Sequence, residues 1–175
     1  MIPIETSRLF LRPLRIEDAE PLAAVFSDPE VMHWSNGLLD VAGVAVWLKE
    51  RISGDPLRPW IGPWAVVQKS TTDVIGYCGF FYFPDINGKP ETEIGFRLAR
   101  AYWGQGIATE AAQAVLNCGF GQYNLERLVA LIAPDNVASI RVAEKLSMQH
   151  ERDVLLEGYT YPDRVYVIRK QNYLG

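Results

Sequence analysis

Cysteine and histidine are scarce in this 175-residue chain, with two of each. Cys78 and Cys118 stand in apolar surroundings without a CxxC partner, which excludes a disulfide framework or a cysteine-bound zinc cluster and reads as two buried thiols. His33 and His150 lie far apart without metal-ligand spacing, so no metal is expected. Long apolar runs are also missing. The longest, Val41 to Leu48, is less than half the ~18 residues that a membrane span needs, and the N-terminus lacks a charged-then-apolar signal pattern. A cytoplasmic protein without a membrane partner is the expectation. No block of like charge, no Ser/Gly linker and no internal repeat divides the chain. A net charge of −4 argues against a nucleic-acid partner and mildly favours a cationic or amine-bearing substrate. With 49% hydrophobic and 22% charged residues, the composition is that of one folded domain over residues 1–175, its core spanning roughly 8–170.

The pattern predicts an α+β chain. A short strand over Arg8 to Leu14 precedes a helix that Asp18 caps and that carries Leu22, Val25 and Phe26 on one face until Asp28-Pro29. Asp40 caps a second helix, with Val44, Trp47, Leu48 and Arg51 at helical spacing until Gly54-Asp55-Pro56. The period then changes to two. Trp64 to Val67, Val74 to Phe83 and Thr92 to Leu98 read as an antiparallel meander in which Glu93 and Ile94 point to opposite faces. A long helix with the apolar stripe Ala108, Ala111, Ala112, Val115 and Leu116 follows. Leu128 to Ala133 is the continuous apolar run of a strand buried on both faces, and Asp135/Asn136 open a helix with Ile140, Ala143 and Leu146. Val154 to Leu156 and Val165 to Ile168 close the chain as two strands around a turn at Gly158 to Asp163.

Trp103-Gly104-Gln105-Gly106, just ahead of the long helix, has two readings. Two glycines before unpaired helix N–H groups suit a phosphate or pyrophosphate, and they equally suit a strand-to-helix turn that needs positive φ. A dinucleotide fingerprint fails, because Thr109 replaces its third glycine and Glu126 lies before the next strand instead of at that strand's C-terminal end. A Walker A loop fails for want of Gly-Lys-Ser/Thr.

Four segments in order, "TSRLFLRPLRIEDAEPL", "TEIGFRLARAYWGQGIATEA", "LERLVALIAPDNVASIRVAEKL" and "YPDRVYVIRK", resemble the GNAT superfamily of acetyl-CoA-dependent N-acetyltransferases. Within it they are most similar to the Rim-type branch of ribosomal-protein and spermidine acetyltransferases. The resemblance implies a single-domain GNAT fold, with a mixed, mostly antiparallel sheet of six to seven strands flanked by about four helices. It also implies acetyl-CoA as cosubstrate and an amine acceptor, a protein N-terminus or a small amine, as partner. A homodimer is a further expectation. Coenzyme A pyrophosphate would lie on the amides of Trp103, Gly104, Gln105, Gly106, Ile107 and Ala108, with Thr109 and Glu110 opening the helix. Pantetheine would pair with Phe96, Arg97 and Leu98, Asn136 would bond its arm, and Ser139 would lie near the sulfur. Arg141 or Lys145 would meet the 3′-phosphate, against the plainer reading of each as a solvated helix charge.

The chain departs from the family at three places. Ala101 stands where Gln or Arg is usual, Ala143 replaces a tyrosine that protonates the leaving thiolate, and Ser147-Met148 replaces Gly-Phe at a left-handed helix end. Glu93 is then the candidate base, with an orienting carboxylate and a structural residue as its alternatives. An N–H at Ile94 or Gly95 is the candidate oxyanion donor. Ser139 is the remaining proton donor to the thiolate, or a hydrogen-bond donor to it, unless its hydroxyl satisfies its own helix. His33, Trp34, Trp60, Tyr82 and Tyr159 to Tyr161 are either an acceptor cleft or core packing. Two other functions stay open: an acyl-CoA-binding module with little catalysis, and an unrelated nucleotide-phosphate binder.

Overall fold

In the computed structural model, which describes residues 2–173 other than Asn36, Pro59, Glu157 and Tyr159, the β-branched runs form the centre of one eight-stranded sheet. Strands β1 (Ile4–Glu5), β2 (Leu9–Pro13), β3 (Gly62–Gln68), β4 (Val74–Phe83) and β5 (Glu91–Leu98) run as an antiparallel meander. Strands β6 (Arg127–Ile132), β7 (Gln149–Val154) and β8 (Asp163–Arg169) complete the order β1-β2-β3-β4-β5-β6-β8-β7. The β5–β6 pair is parallel, and its crossover is the long helix α3 (Ile107–Gly121).

The two faces are covered differently. Helices α1 (Ala19–Phe26) and α2 (Val41–Ser53) bury Leu22, Phe26, Val44 and Leu48 against Ala65 and Tyr77. Asp40 caps α2 as expected, its carboxylate accepting from Gly43 N–H at 2.8 Å. On the opposite face α3 and α4 (Val137–Lys145) bury Ala111, Val115, Ile140 and Ala143 against Val66, Phe80 and Leu128. Each fully buried Leu, Val or Phe here contributes about 1.5–3 kcal/mol of transfer free energy. Both cysteines are buried free thiols.

The strand count is eight, above the six to seven expected. The two-residue β1 is too short to announce itself. β7 was expected at Val154 to Leu156 but spans Gln149–Val154, and Leu155 is exposed. Its Gln-His-Glu-Arg-Asp run pairs only with β8, so one edge is open to water and polar residues suffice there. Asp18 does not cap α1. Its buried carboxylate instead accepts from the Arg12 guanidinium (2.6 and 2.9 Å) and from Arg15 N–H (2.8 Å), fixing the turn that precedes the helix.

Candidate active site

β5 and β6 are held together at one end and part at the other. Glu91, at the start of β5, takes a bidentate ion pair from Arg127, at the start of β6, with both contacts at 2.9 Å. Two residues on, Glu93 pairs with Val129, the one β5–β6 partnership among the described residues. Beyond it β5 keeps its ladder to β4 alone. Ala99 N–H donates to Ile75 O on the β4 side, so by strand alternation the main-chain groups of Leu98, Phe96 and Ile94 point the other way. Trp103 Nε1 donates to Leu98 O at 2.9 Å, which leaves the N–H and C=O of Phe96 facing the gap. Gly95 is paired with Gly79 on β4, and the Glu93–Val129 bridge takes up the Ile94 amide on the β6 side, so neither amide expected as an oxyanion donor is left unpaired.

After β5 the chain turns into α3 through Gly104 and Gly106, both left-handed at φ 72° and 75°. Glu110 N–H is the first to find an intrahelical acceptor, Gly106 O at 3.0 Å. The amides of Ile107, Ala108 and Thr109 therefore stand without one at the positive end of the helix. The turn and anion readings of this loop thus coexist in one geometry. Its outer side is clipped by Arg8, whose Nη1 donates to Gln105 O (2.9 Å) and whose Nε donates to Glu110 Oε2 (2.6 Å). Partial burial works against ionisation of Glu110, but Thr6, the Arg8 amide and guanidinium, and Ser7 outweigh it and hold the carboxyl at about 2.

A cavity of about 600 Å³ occupies the gap and draws its walls from both sheet faces. From the α3–α4 side come Phe96, Asn136, Ser139 and Ala143; from the α1–α2 side come Glu93 and Arg97. Burial pushes the Glu93 carboxyl up to about 7. Leu131 N–H, donating to it at 3.2 Å, and the Arg97 charge resist that rise, while Asp163 adds to it. Gly95 leaves room for the Phe81 ring, from which a Cβ there would lie 3.0 Å, whereas Glu93 Oε2 at 3.6 Å would be in ordinary contact. Asn136 caps α4 by accepting from Ser139 N–H at 3.1 Å, so only its NH₂ is free to donate. The Ser139 hydroxyl has no partner among the described residues, which removes the reading in which it serves its own helix.

The other expected site residues scatter. The Arg97 side chain turns away from the α3 loop, bonding Ser35 Oγ with its guanidinium 5.6 Å from the Phe26 ring. Leu98 is buried in the core, and the Trp103 ring is half-exposed. Arg141 and Lys145 are exposed on α4 and do not line the cavity. Among the aromatics, Trp34 lines it, with Tyr161 edge-on at 6.5 Å. Trp60 instead packs with Tyr123, Tyr82 lies under Arg58, and His33 is exposed. Tyr159 lies outside the described residues. Arg8 and Asp163 were not singled out from sequence, because each acts through a partner about 100 or 70 residues away in the chain. Among the described residues no cluster of His, Cys, Asp and Glu could hold a metal, and no helix is long and apolar enough to cross a membrane.

Comparison with known proteins agrees with this geometry. Residues 8–149 match the model of the acetyltransferase (GNAT) domain family. The uncharacterized N-acetyltransferase p20 of Bacillus licheniformis is 37% identical over 153 residues, covering 86% of this chain and 84% of that one. The crystal structure of a GNAT-family acetyltransferase from Bacillus anthracis superposes with a TM-score of 0.83 at 26% identity, covering 97% of this chain and 99% of the other. RimL, a ribosomal L7/L12 alpha-N-protein acetyltransferase solved in complex with coenzyme A, shares the fold at a TM-score of 0.79 and 17% identity, over 98% and 100% of the two chains.

Proposed function

Because this chain belongs to the GNAT family of acetyl-CoA-dependent acyltransferases, we propose that it acetylates a primary amine, a protein N-terminal α-amine or a small-molecule amine, by direct attack. The observation that carries the reading is the single cavity crossing the sheet where β5 and β6 part. It lets two substrates enter from opposite faces and meet between Glu93 and Ser139.

The residues present fit the coenzyme. The gap-facing main chain of Phe96 would pair with the pantetheine amides, and the free NH₂ of Asn136 would donate to the same arm. The amides of Ile107, Ala108 and Thr109 would hold the pyrophosphate, with Gly104 and Gly106 keeping the approach open. Acetyl-CoA supplies the thioester. Glu93 takes the proton of the attacking amine: with its carboxyl raised to about 7 it is both ionised in part and basic enough at neutral pH. A nitrogen–carbon bond forms, the carbon–sulfur bond breaks, the unpartnered Ser139 hydroxyl donates a hydrogen bond to the leaving thiolate, and the proton that Glu93 took from the amine balances the thiolate charge through solvent, Ala143 being unable to supply one. A lysine-like amine, with a reference pKa of ~10.4, depends on the base more than an α-amine at ~7.7–8.0.

Thiol release from acetyl-CoA over a panel of amines tests the reading. Amine-dependent release is the expected result. Binding of coenzyme A without release would make the chain an acyl-CoA-binding module, and absence of binding would sink the family assignment's functional content.

A further inference from the structure

The acceptor side of the cavity holds a second carboxyl that the transfer reaction leaves unused. Asp163 opens β8 and is about nine-tenths buried. No hydrogen bond or ion pair reaches its carboxylate from any described residue. Its oxygens are not among the buried atoms sealed from solvent, so within this cavity they are open to a cation or donor carried by an occupant. Burial raises its pKa, in keeping with that want of a partner.

Its position follows from the register. Glu93 pairs with Val129 on β6, Leu131 pairs with Val165 on β8, and residues two apart on a strand share a face. Glu93, Val129, Leu131, Val165 and Asp163 therefore lie on the α1–α2 side of the sheet, with Asp163 beyond the apolar step made by Leu131 and Val165. Both carboxyls line the same cavity. They also sense each other, since the charge of Asp163 adds to the rise at Glu93. Asp85 adds a third carboxylate to the walls. The one cation among the cavity's described residues, Arg97, is turned to Ser35 and the Phe26 ring. Aromatic faces from Trp34, Phe81 and Phe83 make up much of the remainder. Such a chamber supplies acceptors and π-faces but few donors, the surroundings an organic cation prefers.

We propose that Asp163 is an acceptor-binding carboxylate that holds a second, non-reacting cationic nitrogen of the substrate while Glu93 receives the proton of the nitrogen that is acetylated. The acceptor class is an amine carrying another cationic group a short chain away, whether a free diamine or a peptide terminus with a basic first side chain. This rests on the acetyl-transfer reading and deepens it.

The test compares 1,4-diaminobutane with n-butylamine, and a short peptide beginning with lysine with one beginning with alanine, on the wild type and on Asp163→Asn. Thiol release gives kcat and KM, and calorimetric binding of each amine to the protein saturated with coenzyme A gives a readout that needs no turnover. In the wild type we expect a preference of at least tenfold in KM or Kd for the dicationic member of one pair; which pair shows it identifies the source of the second cation. In Asp163→Asn that preference collapses to within about threefold, the KM for acetyl-CoA is unchanged, and the n-butylamine pH–rate limb moves to lower pH because a charge that raises Glu93 is gone. Equal losses for monoamine and dicationic amine, or no wild-type preference in either pair, overturn the proposal while leaving acetyl transfer intact. Asp163-dependent amine binding without thiol release would retain the site and overturn the transfer reading instead. Asp163→Ser, which removes the charge with less bulk, repeats the series if the Asn variant melts early.

Discussion

Burial raises the Glu93 carboxyl to about 7, whereas an unfolded chain would ionise it near ~4.3. Between those values the folded protein holds a proton that the unfolded chain has released, so stability falls as pH rises through this window and levels off above it. Glu93→Gln removes that loss. Its melting temperature is expected to match the wild type near pH 4, to exceed it progressively up to about pH 7, and to keep a constant margin above that. The same substitution removes the base: turnover of an alkylamine should drop by about 10²–10⁴, and the limb of the pH–rate profile near 7 should vanish. A variant that gains no stability at pH 8, or keeps the limb, removes Glu93 from the role of base. The residue was legible in the sequence because strand alternation and the family motif both marked it. Asp163 was not, because its place beside Glu93 is set by the pairing of β6 with β8, which no local pattern announces.

Two helix ends carry the element-scale consequences. α4 closes on Ser147, left-handed at φ 61°, with Met148 N–H returning to Ala143 O at 3.0 Å. A residue with a Cβ costs roughly 1–2 kcal/mol in that region. Ser147→Gly recovers part of it, offset by glycine's extra freedom in the unfolded chain. A net gain of about 0.5–1 kcal/mol is expected, or ~1–4 °C in melting temperature. A lower melting temperature would show that the Ser147 side chain stabilises this turn. At the start of α3, Arg8 neutralises Glu110 beside the amides of the glycine loop. Arg8→Gln leaves that carboxylate close to an incoming pyrophosphate and loosens Gln105. The KM for acetyl-CoA should rise about tenfold, the equivalent of one charge-assisted contact, with kcat nearly unchanged. An unaltered KM would reduce the clip to a structural tie. The glycine loop and the α3 stripe could be read directly, since positive φ and a 3.6-residue period write themselves into sequence. The clip and β7 could not: one joins distant segments, and the other is a polar edge whose strand character comes only from β8.

At the scale of the molecule, the cavity exists because β5 and β6 are joined at one end only, by the Glu93–Val129 bridge with an ionic clamp beside it. Glu91 is buried, and Arg127 ties it to Glu151, which Arg152 and Arg169 also reach. Burial opposes ionisation of Glu91, yet Arg127 outweighs it and keeps the carboxyl below its ordinary value; Arg127 and its neighbours hold Glu151 at about 2. These carboxylates and Glu110 contribute stability that is present above their unfolded pKa and lost as pH falls toward 2. Glu93 and Asp163 act in the opposite sense, costing stability as pH rises above their unfolded values, and the buried thiol of Cys78, also raised, extends that cost above pH ~8.5. The two groups meet between pH ~4.5 and ~5.5, where the stability maximum is expected, on the acid side of the pH at which Glu93 works as a base. Glu91→Ala tests the clamp within that frame. Leaving Arg127 with Glu151 alone should cost about 3 kcal/mol, the low end for a broken buried pair because Arg127 is partly exposed. The loss should shrink below pH 4, where protonation of the remaining cluster carboxylates already weakens the clamp. If the maximum instead lies above pH 7, or Glu91→Ala melts like the wild type at pH 5, the parted strands are held by packing and not by this ion pair.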